Sequence, residues 1–399
     1  MDHGRFWIAI LSFHAIVLWH SSSLARSWAR RLESVAQPCS MLRNLLADAI
    51  LFGLGVALAG MLAVIAPSPR FMYLRLLCQG LFGEGVLLAA WVAWLHAKQG
   101  LRSLALVPGA AALALLGVYG EAYHREPTDL QVSRHALDLS DGMGEPRTLR
   151  ILHLTDLQTP RIGAHEERAF REALAQSPDL MLLTGDYIHE RIGVDSGAQA
   201  AADLRALLRR LELRAPLGVY ATEGDVGLDC ASTFAGLAVQ CLVDRSVRLA
   251  LPGGRSLALV GLSAGISRGR DSQALARVVA AAPPADLRLV IGHSPDFVAA
   301  LAGTAPPDLA LAGHTHGGQV VIPFFGPPLT LSRLPRRYAA DLHDYAGIPL
   351  HVSRGIGLER GTAPQIRFLC PPEICVLDVR YSERADRLPP DKVSSRALS

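Results

Sequence analysis

The chain has 399 residues and a formal net charge of +3, with 50% apolar and 19% charged side chains. So small a charge, with no basic tract, argues against nucleic acid as a partner. The mean hydropathy is nevertheless positive, and the apolar excess lies before about residue 120, because the rest of the chain reads as soluble.

Four apolar runs fill the first third: Phe6–Trp19, Ile50–Ala66, Phe71–Leu95 and Leu104–Tyr119. Each approaches the roughly 20 residues that a bilayer-spanning helix needs. A cleaved signal peptide explains the first run but not the other three. Glu84 is the exception inside the third run, where an acid faces the helix bundle or sits protonated. Arginine and lysine set the expected orientation. Arg26, Arg30, Arg31 and Arg43 follow the first run, and Lys98 and Arg102 follow the third. Arg5, Arg70 and Arg125 lie on the other side. The richer connections belong in the cytoplasm, which places both termini and the soluble part outside the inner membrane.

Residues 121–147 read as a polar linker containing one strand, Leu130–Leu139, and the charged tail 381–399 reads as disordered. Between them, strand patterns alternate with helical ones, as in a largely parallel sheet. Ile151–Gln158 is an apolar strand whose carboxylate, Asp156, falls where the alternation stops. A helix is expected over Ala164–Gln176, with Glu166 and Glu167 in its first turn and Phe170, Ala173 and Leu174 on one face. Leu180–Thr184 runs into Gly185-Asp186, Gly218–Thr222 into Glu223-Gly224-Asp225, and Leu287–Ile291 into Gly292-His293. Asp308–Ala312 runs into Gly313-His314-Thr315-His316-Gly317-Gly318. Ligands of such sheets gather beyond the carboxyl ends of the strands. An Asp after a strand is usually a cap or turn residue, but six metal-ligand types at successive strand ends point to one site. Imidazole and carboxylate donors together suit borderline transition metals.

This series resembles the calcineurin-like metallophosphoesterases, whose pattern is Asp-x-His, Gly-Asp, Gly-Asn-His-Asp/Glu, His and Gly-His-x-His. The resemblance spans about residues 148–380. Gly317-Gly318-Gln319-Val320, Pro323-Phe324, Ser353-Arg354-Gly355-Ile356-Gly357 and Pro371-Pro372-Glu373-Ile374 further resemble its membrane-linked bacterial branch. It implies a four-layer α/β (α+β) sandwich of two packed sheets flanked by helices, which would follow the all-α transmembrane bundle expected from the apolar runs.

The resemblance also implies two metal ions (manganese, iron or zinc) that bind phosphate oxygens and generate a hydroxide nucleophile. Asp186 would bridge them. Asp156, His316 and the residue at position 158 would hold one ion, and Asp225, His293 and His314 the other. Catalysis would rest on Asp186, Asp225 and His293. Three positions depart from the pattern: Gln158 replaces a histidine, Asp225 an asparagine, and Val226 the histidine that would protonate the leaving group. Gly227 stands where an acidic residue would orient that histidine. A general acid contributes on the order of a hundredfold to ten-thousandfold. His189, three residues after Asp186, occupies the place of a tyrosine ligand in the purple acid phosphatase relatives, and either replaces the ligand lost at Gln158 or faces solvent. His153 and His165 read as structural or exposed. Arg161 and Arg354 offer guanidinium forks for phosphate.

The expected partners are a lipid bilayer and a phosphate mono- or diester, lipid-linked or from the envelope. Phe324, Phe325, Pro327 and Pro328 read as core in preference to an apolar lip for acyl chains. Two other readings stand beside hydrolysis. One is a degenerate domain that binds metal or phospholipid as a sensor or scaffold; the other is a cytoplasmic-facing hydrolase of a nucleotide-linked lipid. Cys230, Cys241, Cys370 and Cys375 form two closely spaced pairs, open to disulfides or to free core thiols.

Overall fold

The computed structural model describes residues 70–98, 100–142, 144–190, 197–301 and 306–383. It divides into two compact units, 1–125 with 359–366 and 126–358 with 367–399. The first two apolar runs and the last sixteen residues lie outside the described segments.

In the first unit, α1 (Arg70–Gln79) passes through a π-helical turn, Gly80–Glu84, into α2 (Gly85–Lys98). A tight turn, in which Leu101 N–H donates to the His96 carbonyl at 2.9 Å, leads into α3 (Arg102–Gly120). Leu77–Lys98 and Arg102–Thr128 are long and apolar enough to cross a membrane. Leu87, Leu106, Val107 and Leu113 project outward on these helices, an apolar exterior that costs free energy in water.

The second unit is a sandwich of two six-stranded sheets. The first sheet contains β1 (Gln131–Asp138), β2 (Pro146–Leu154), β3 (Leu180–Leu183), β4 (Val219–Ala221), β5 (Val239–Cys241) and β12 (Glu373–Ser382), in the order β1-β12-β2-β3-β4-β5. The second contains β6 (Arg245–Ala250), β7 (Ser256–Gly261), β8 (Leu287–Ile291), β9 (Leu309–Ala312), β10 (Asp341–Tyr345) and β11 (Ile348–Val352). Its order is β10-β11-β9-β8-β7-β6. The central ladders β2/β3/β4 and β7/β8/β9 are parallel.

Both faces of each central sheet are buried, and the strand period of two sorts the apolar residues between them. Ile151, Leu180, Leu182, Leu257, Leu259, Leu289 and Leu311 meet between the sheets. Leu152, Leu154, Met181 and Leu183 point the other way, with Phe170 of α4 (Ala164–Ala175) and Leu204 of α5 (Gly197–Arg210) in the same cluster. Val260, Val290 and Ala310 do the same in the second sheet, with Leu275 and Val279 of α6 (Ser272–Ala280). The layers are therefore helix, sheet, sheet, helix.

Of the two close cysteine pairs, Cys230 and Cys241 are disulfide-bonded, with Cα atoms 6.0 Å apart. Cys370 and Cys375 are free and buried. The bond closes a loop with a sequence separation of 11, so its loss is expected to cost about 2–3 kcal/mol. Denaturant midpoints of Cys230→Ser with and without reductant check this: the wild-type midpoint should fall on reduction and the variant's should not.

Candidate metal centre

The carboxyl ends of β2, β3 and β4 and of β8 and β9 open at one rim, and the loops leaving them run side by side. Asp156 N–H donates to the Gly185 carbonyl at 3.1 Å, and Gln158 N–H to that of Asp186 at 2.7 Å. Across the second sheet, Gly313 N–H donates to the His293 carbonyl at 2.8 Å. These backbone bonds hold the side-chain donors in one place.

Asp156, Gln158, Asp186, His314 and His316 all have positive φ, between 40° and 70°. This left-handed region is uncommon for residues other than glycine, and such conformations cost of order 1–3 kcal/mol each where they gather at functional sites. Gly313 is needed for closeness: a Cβ there would lie 2.1 Å from Thr155 Oγ1 and 2.4 Å from Asp156 Oδ2.

Donor atoms of Asp156, Asp186 and His293 lie within 4.8 Å of one another, as do those of Asp225, His293 and His314. His293 Nε2 is 3.3 Å from Asp186 Oδ2, 3.4 Å from Asp225 Oδ1 and 3.1 Å from His314 Nδ1. His316 Nε2 is 3.6 Å from Asp156 Oδ1. Behind these atoms stands a supporting set. His293 Nδ1 is 2.9 Å from the Thr184 carbonyl, which can only accept, so Nδ1 carries hydrogen and Nε2 faces the centre. His314 N–H and the Thr155 hydroxyl both donate to Asp156 Oδ2 at 2.9 Å, leaving Oδ1 turned inward. Val226 N–H donates to Asp186 Oδ1 at 3.0 Å.

The buried carboxylates and imidazoles shift one another's protonation. Burial pushes the Asp156 carboxyl up to about 7, although His293 opposes this. Burial alone would lower His293, but the Asp186 carboxylate raises it to about 9. Burial would raise Asp186 in turn, and the His293 charge beside it holds it low. His314 is lowered to about 4 by burial and by His293. Asp156 Oδ1 and both ring nitrogens of His316 are buried without a hydrogen bond. These unpaired atoms, in a cluster of three carboxylates and three imidazoles, fit divalent metal ions.

His189 belongs to neither triad of close donors. Its N–H donates to the Thr159 carbonyl at 3.0 Å. Gln158 is buried beside Asp186, to whose carbonyl its backbone is tied. Arg161 is exposed. Arg354 is committed elsewhere: its fork grips Glu373, with nitrogen–oxygen distances of 3.0 and 2.8 Å. His153 and His165 hydrogen-bond to Thr184 and to the Ile356 carbonyl. At Gly227 a Cβ would lie 1.9 Å from the Ile188 carbonyl oxygen, and φ is +84°, so no acidic side chain fits there.

Two arginines escaped the sequence reading. Arg268 forms an ion pair with Asp225. Arg367 is fully buried and donates to the carbonyls of Arg354, Gly355, Gly357 and Cys370. Phe324 and Phe325, read as core, are exposed together with Ile322 and Leu369. The two phenylalanines sit in a short turn bridged at Ile322 and Gly326.

A two-sheet sandwich carrying Asp, Asp, Asp, His and His-x-His at one rim is the arrangement of a metallophosphoesterase. The chain is 29% identical over 281 residues to Phosphodiesterase YaeI of Escherichia coli, 68% of this chain and 96% of that protein. It is 27% identical over 304 residues to the metallophosphoesterase YkuE of Bacillus subtilis, 71% of this chain and 97% of that one. A third relative, metallophosphoesterase Cj0846 of Campylobacter jejuni, is 27% identical over 247 residues, 59% of this chain and 60% of that protein. No protein-family model matches the chain. These relatives, all named phosphodiesterase or metallophosphoesterase, and the site together support a calcineurin-like metallophosphoesterase family for the chain.

Proposed function

We propose that the protein is a membrane-anchored, metal-dependent phosphoesterase that hydrolyses phosphate mono- or diesters at a two-metal site. The observation that carries this reading is the pair of donor triads sharing His293. Asp156 and His316, with Gln158 alongside, would hold one ion, and Asp225, His293 and His314 the other, with Asp186 between them. Bound there, the ions would supply Lewis acidity toward a phosphoryl oxygen and acidify a water. The chain's own part is orientation: Thr184 fixes the His293 tautomer, Thr155 and His314 N–H aim Asp156, and Val226 N–H aims Asp186. Arg268, paired with Asp225, offers a guanidinium at the rim to a phosphate oxygen. The test is hydrolysis of bis(4-nitrophenyl) phosphate with added manganese by the full chain in detergent. Turnover in the wild type, lost in His314→Ala and in His316→Ala, is expected; turnover unchanged in both variants would refute the site.

Val226 favours a second reading, a domain that binds metal and phosphate with little turnover. Val226→His places an imidazole where a leaving group would need a proton, while Gly227 prevents an acidic residue from orienting it. A gain of tenfold or less in kcat on a poor leaving group is therefore expected, below the usual hundredfold of a well-placed acid. Activity appearing only in Val226→His would favour the degenerate domain.

Proton competition gives a pH dependence. His293 is protonated below about 9, and a cation needs its neutral nitrogen, so metal affinity should rise with pH and level off beyond that value. Calorimetry in buffers of different ionisation heat should show proton release at neutral pH. An affinity independent of pH would contradict the assignment.

The exposed Ile322, Phe324, Phe325 and Leu369, beginning a few residues after His316, support a substrate with an acyl or prenyl part. The Cys230–Cys241 bond supports an extracytoplasmic catalytic unit, since such bonds persist in oxidising compartments. An inactive alkaline phosphatase fusion after Ser399 would overturn that placement.

A further inference from the structure

His135 on β1, partly exposed, converges with the buried His351 on β11 and Cys375 on β12. Their donor atoms lie within 4.8 Å of one another. Cys375 and His351 are fully buried; Cys375 belongs to the inter-sheet core, and the buried Glu373 and the Ser133 hydroxyl lie close to it. His351 Nε2 and His135 Nε2 are both buried with no hydrogen-bond partner. A buried polar nitrogen without a partner costs about 1–3 kcal/mol, and two of them on imidazoles gathered with one thiol call for a shared ligand.

The proton positions on the far side of His351 are consistent with this. His351 Nδ1 is 3.0 Å from His153 Nδ1, and His153 Nε2 is 2.8 Å from Thr184 Oγ1. Two hydrogen arrangements satisfy both bonds, and in one of them His351 Nδ1–H donates to His153 Nδ1 and His153 Nε2–H donates to the threonine hydroxyl. In that arrangement the buried His351 Nε2 keeps a lone pair with no hydrogen-bond partner, free for a cation. A ligating imidazole commonly donates its other N–H in this way.

We propose that His135, His351 and Cys375 form a second, structural metal site for a thiolate-binding d10 cation, zinc(II) or copper(I). One sulfur and two imidazole donors suit these ions and not manganese or magnesium. Binding replaces the thiol proton by the cation and releases that proton to solvent. The ion ties the edge strand β1 and β12 of the first sheet to β11 of the second. It stands apart from the phosphoesterase donors, none of which is a cysteine, and it does not depend on that activity.

The absence of sulfur from the catalytic donors makes the test specific. The full chain is produced in medium containing cobalt and purified in detergent. A near-ultraviolet thiolate-to-cobalt charge-transfer band is expected, and it should survive in His314→Ala/His316→Ala and in Cys370→Ser. It should vanish in Cys375→Ser and weaken in His135→Ala, with the loss of about one metal equivalent per chain. Zinc- and copper-grown wild-type protein, examined by X-ray absorption, needs no variant and guards against misfolding of Cys375→Ser. A sulfur neighbour at about 2.3 Å is expected for zinc. Only oxygen and nitrogen neighbours for both metals, or a cobalt band unchanged in Cys375→Ser, would overturn the site.

Discussion

Asp186→Asn is expected to lower phosphoester hydrolysis by on the order of a thousandfold or more while leaving the fold intact. The substitution keeps the shape of the side chain, and an amide oxygen can still accept from Val226 N–H. It removes the carboxylate that would lie between the two ions of the proposed site, and metal-ion stabilisation of phosphoryl transfer is worth several kcal/mol. The same change should be visible in the histidine beside it. Burial pulls His293 down and the Asp186 charge holds it at about 9, so with the charge gone burial prevails and the imidazole becomes neutral near pH 7. An NMR titration of His293 in the metal-stripped variant checks this independently of activity. A pKa still near 9 would show that Asp186 is not its principal partner.

Arg367→Leu should destabilise the catalytic unit by about 3–5 kcal/mol, the largest stability effect expected of any single site here. Arg367 is fully buried, and no carboxylate is among its hydrogen-bond partners. Its guanidinium instead gathers the Arg354 carbonyl at 2.7 Å, the Gly357 carbonyl at 2.7 Å and the Cys370 carbonyl at 2.9 Å. Leucine would fill part of the volume and leave these acceptors dry and unpaired. The segment they hold backs the metal centre: Ile356 N–H donates to the Thr155 carbonyl at 3.1 Å and Gly357 N–H to that of Asp156 at 2.7 Å. Loss of stability should therefore come with weaker metal binding. Arg367→Lys should recover only part of either, because a single ammonium cannot span the fork's several directions. Equal denaturation midpoints for wild type and Arg367→Leu would contradict this role.

The range of each interaction decided how far it could be read in advance. β8 matches its expected span, Leu287–Ile291, end to end, because an apolar run broken only by Arg288 ends sharply at glycine. The expected helix at Ala164–Gln176 is α4, one residue shorter, since Gln176 closes it as a cap. Leu130–Leu139 reads as a strand in a linker, but β1 is the edge of the first sheet, paired with β12 from Gln131↔Glu373 to Asp138↔Arg380. Nothing local announces a partner that distant. Asp156, Asp186, Asp225, His293, His314 and His316 were legible because strand ends carry them in a recognisable order. Arg268 and Arg367 were not, since a lone arginine in a loop has no periodicity to betray its contacts. Phe324 and Phe325 misled for the opposite reason: an aromatic pair in a loop suggests burial, yet residue type alone does not decide exposure. The cysteine spacing left both pairs open; Cys370 instead turns its thiol to the His316 carbonyl at 3.3 Å, while Cys375 faces the inter-sheet core.

Anomalous diffraction from crystals of the manganese-loaded protein tests the central claim most directly. Two manganese peaks are expected, with Asp186 between them, one beside Asp156 and His316 and the other beside Asp225, His293 and His314. A single peak with no contact to Asp186, or no manganese at this rim, would contradict a two-metal phosphoesterase.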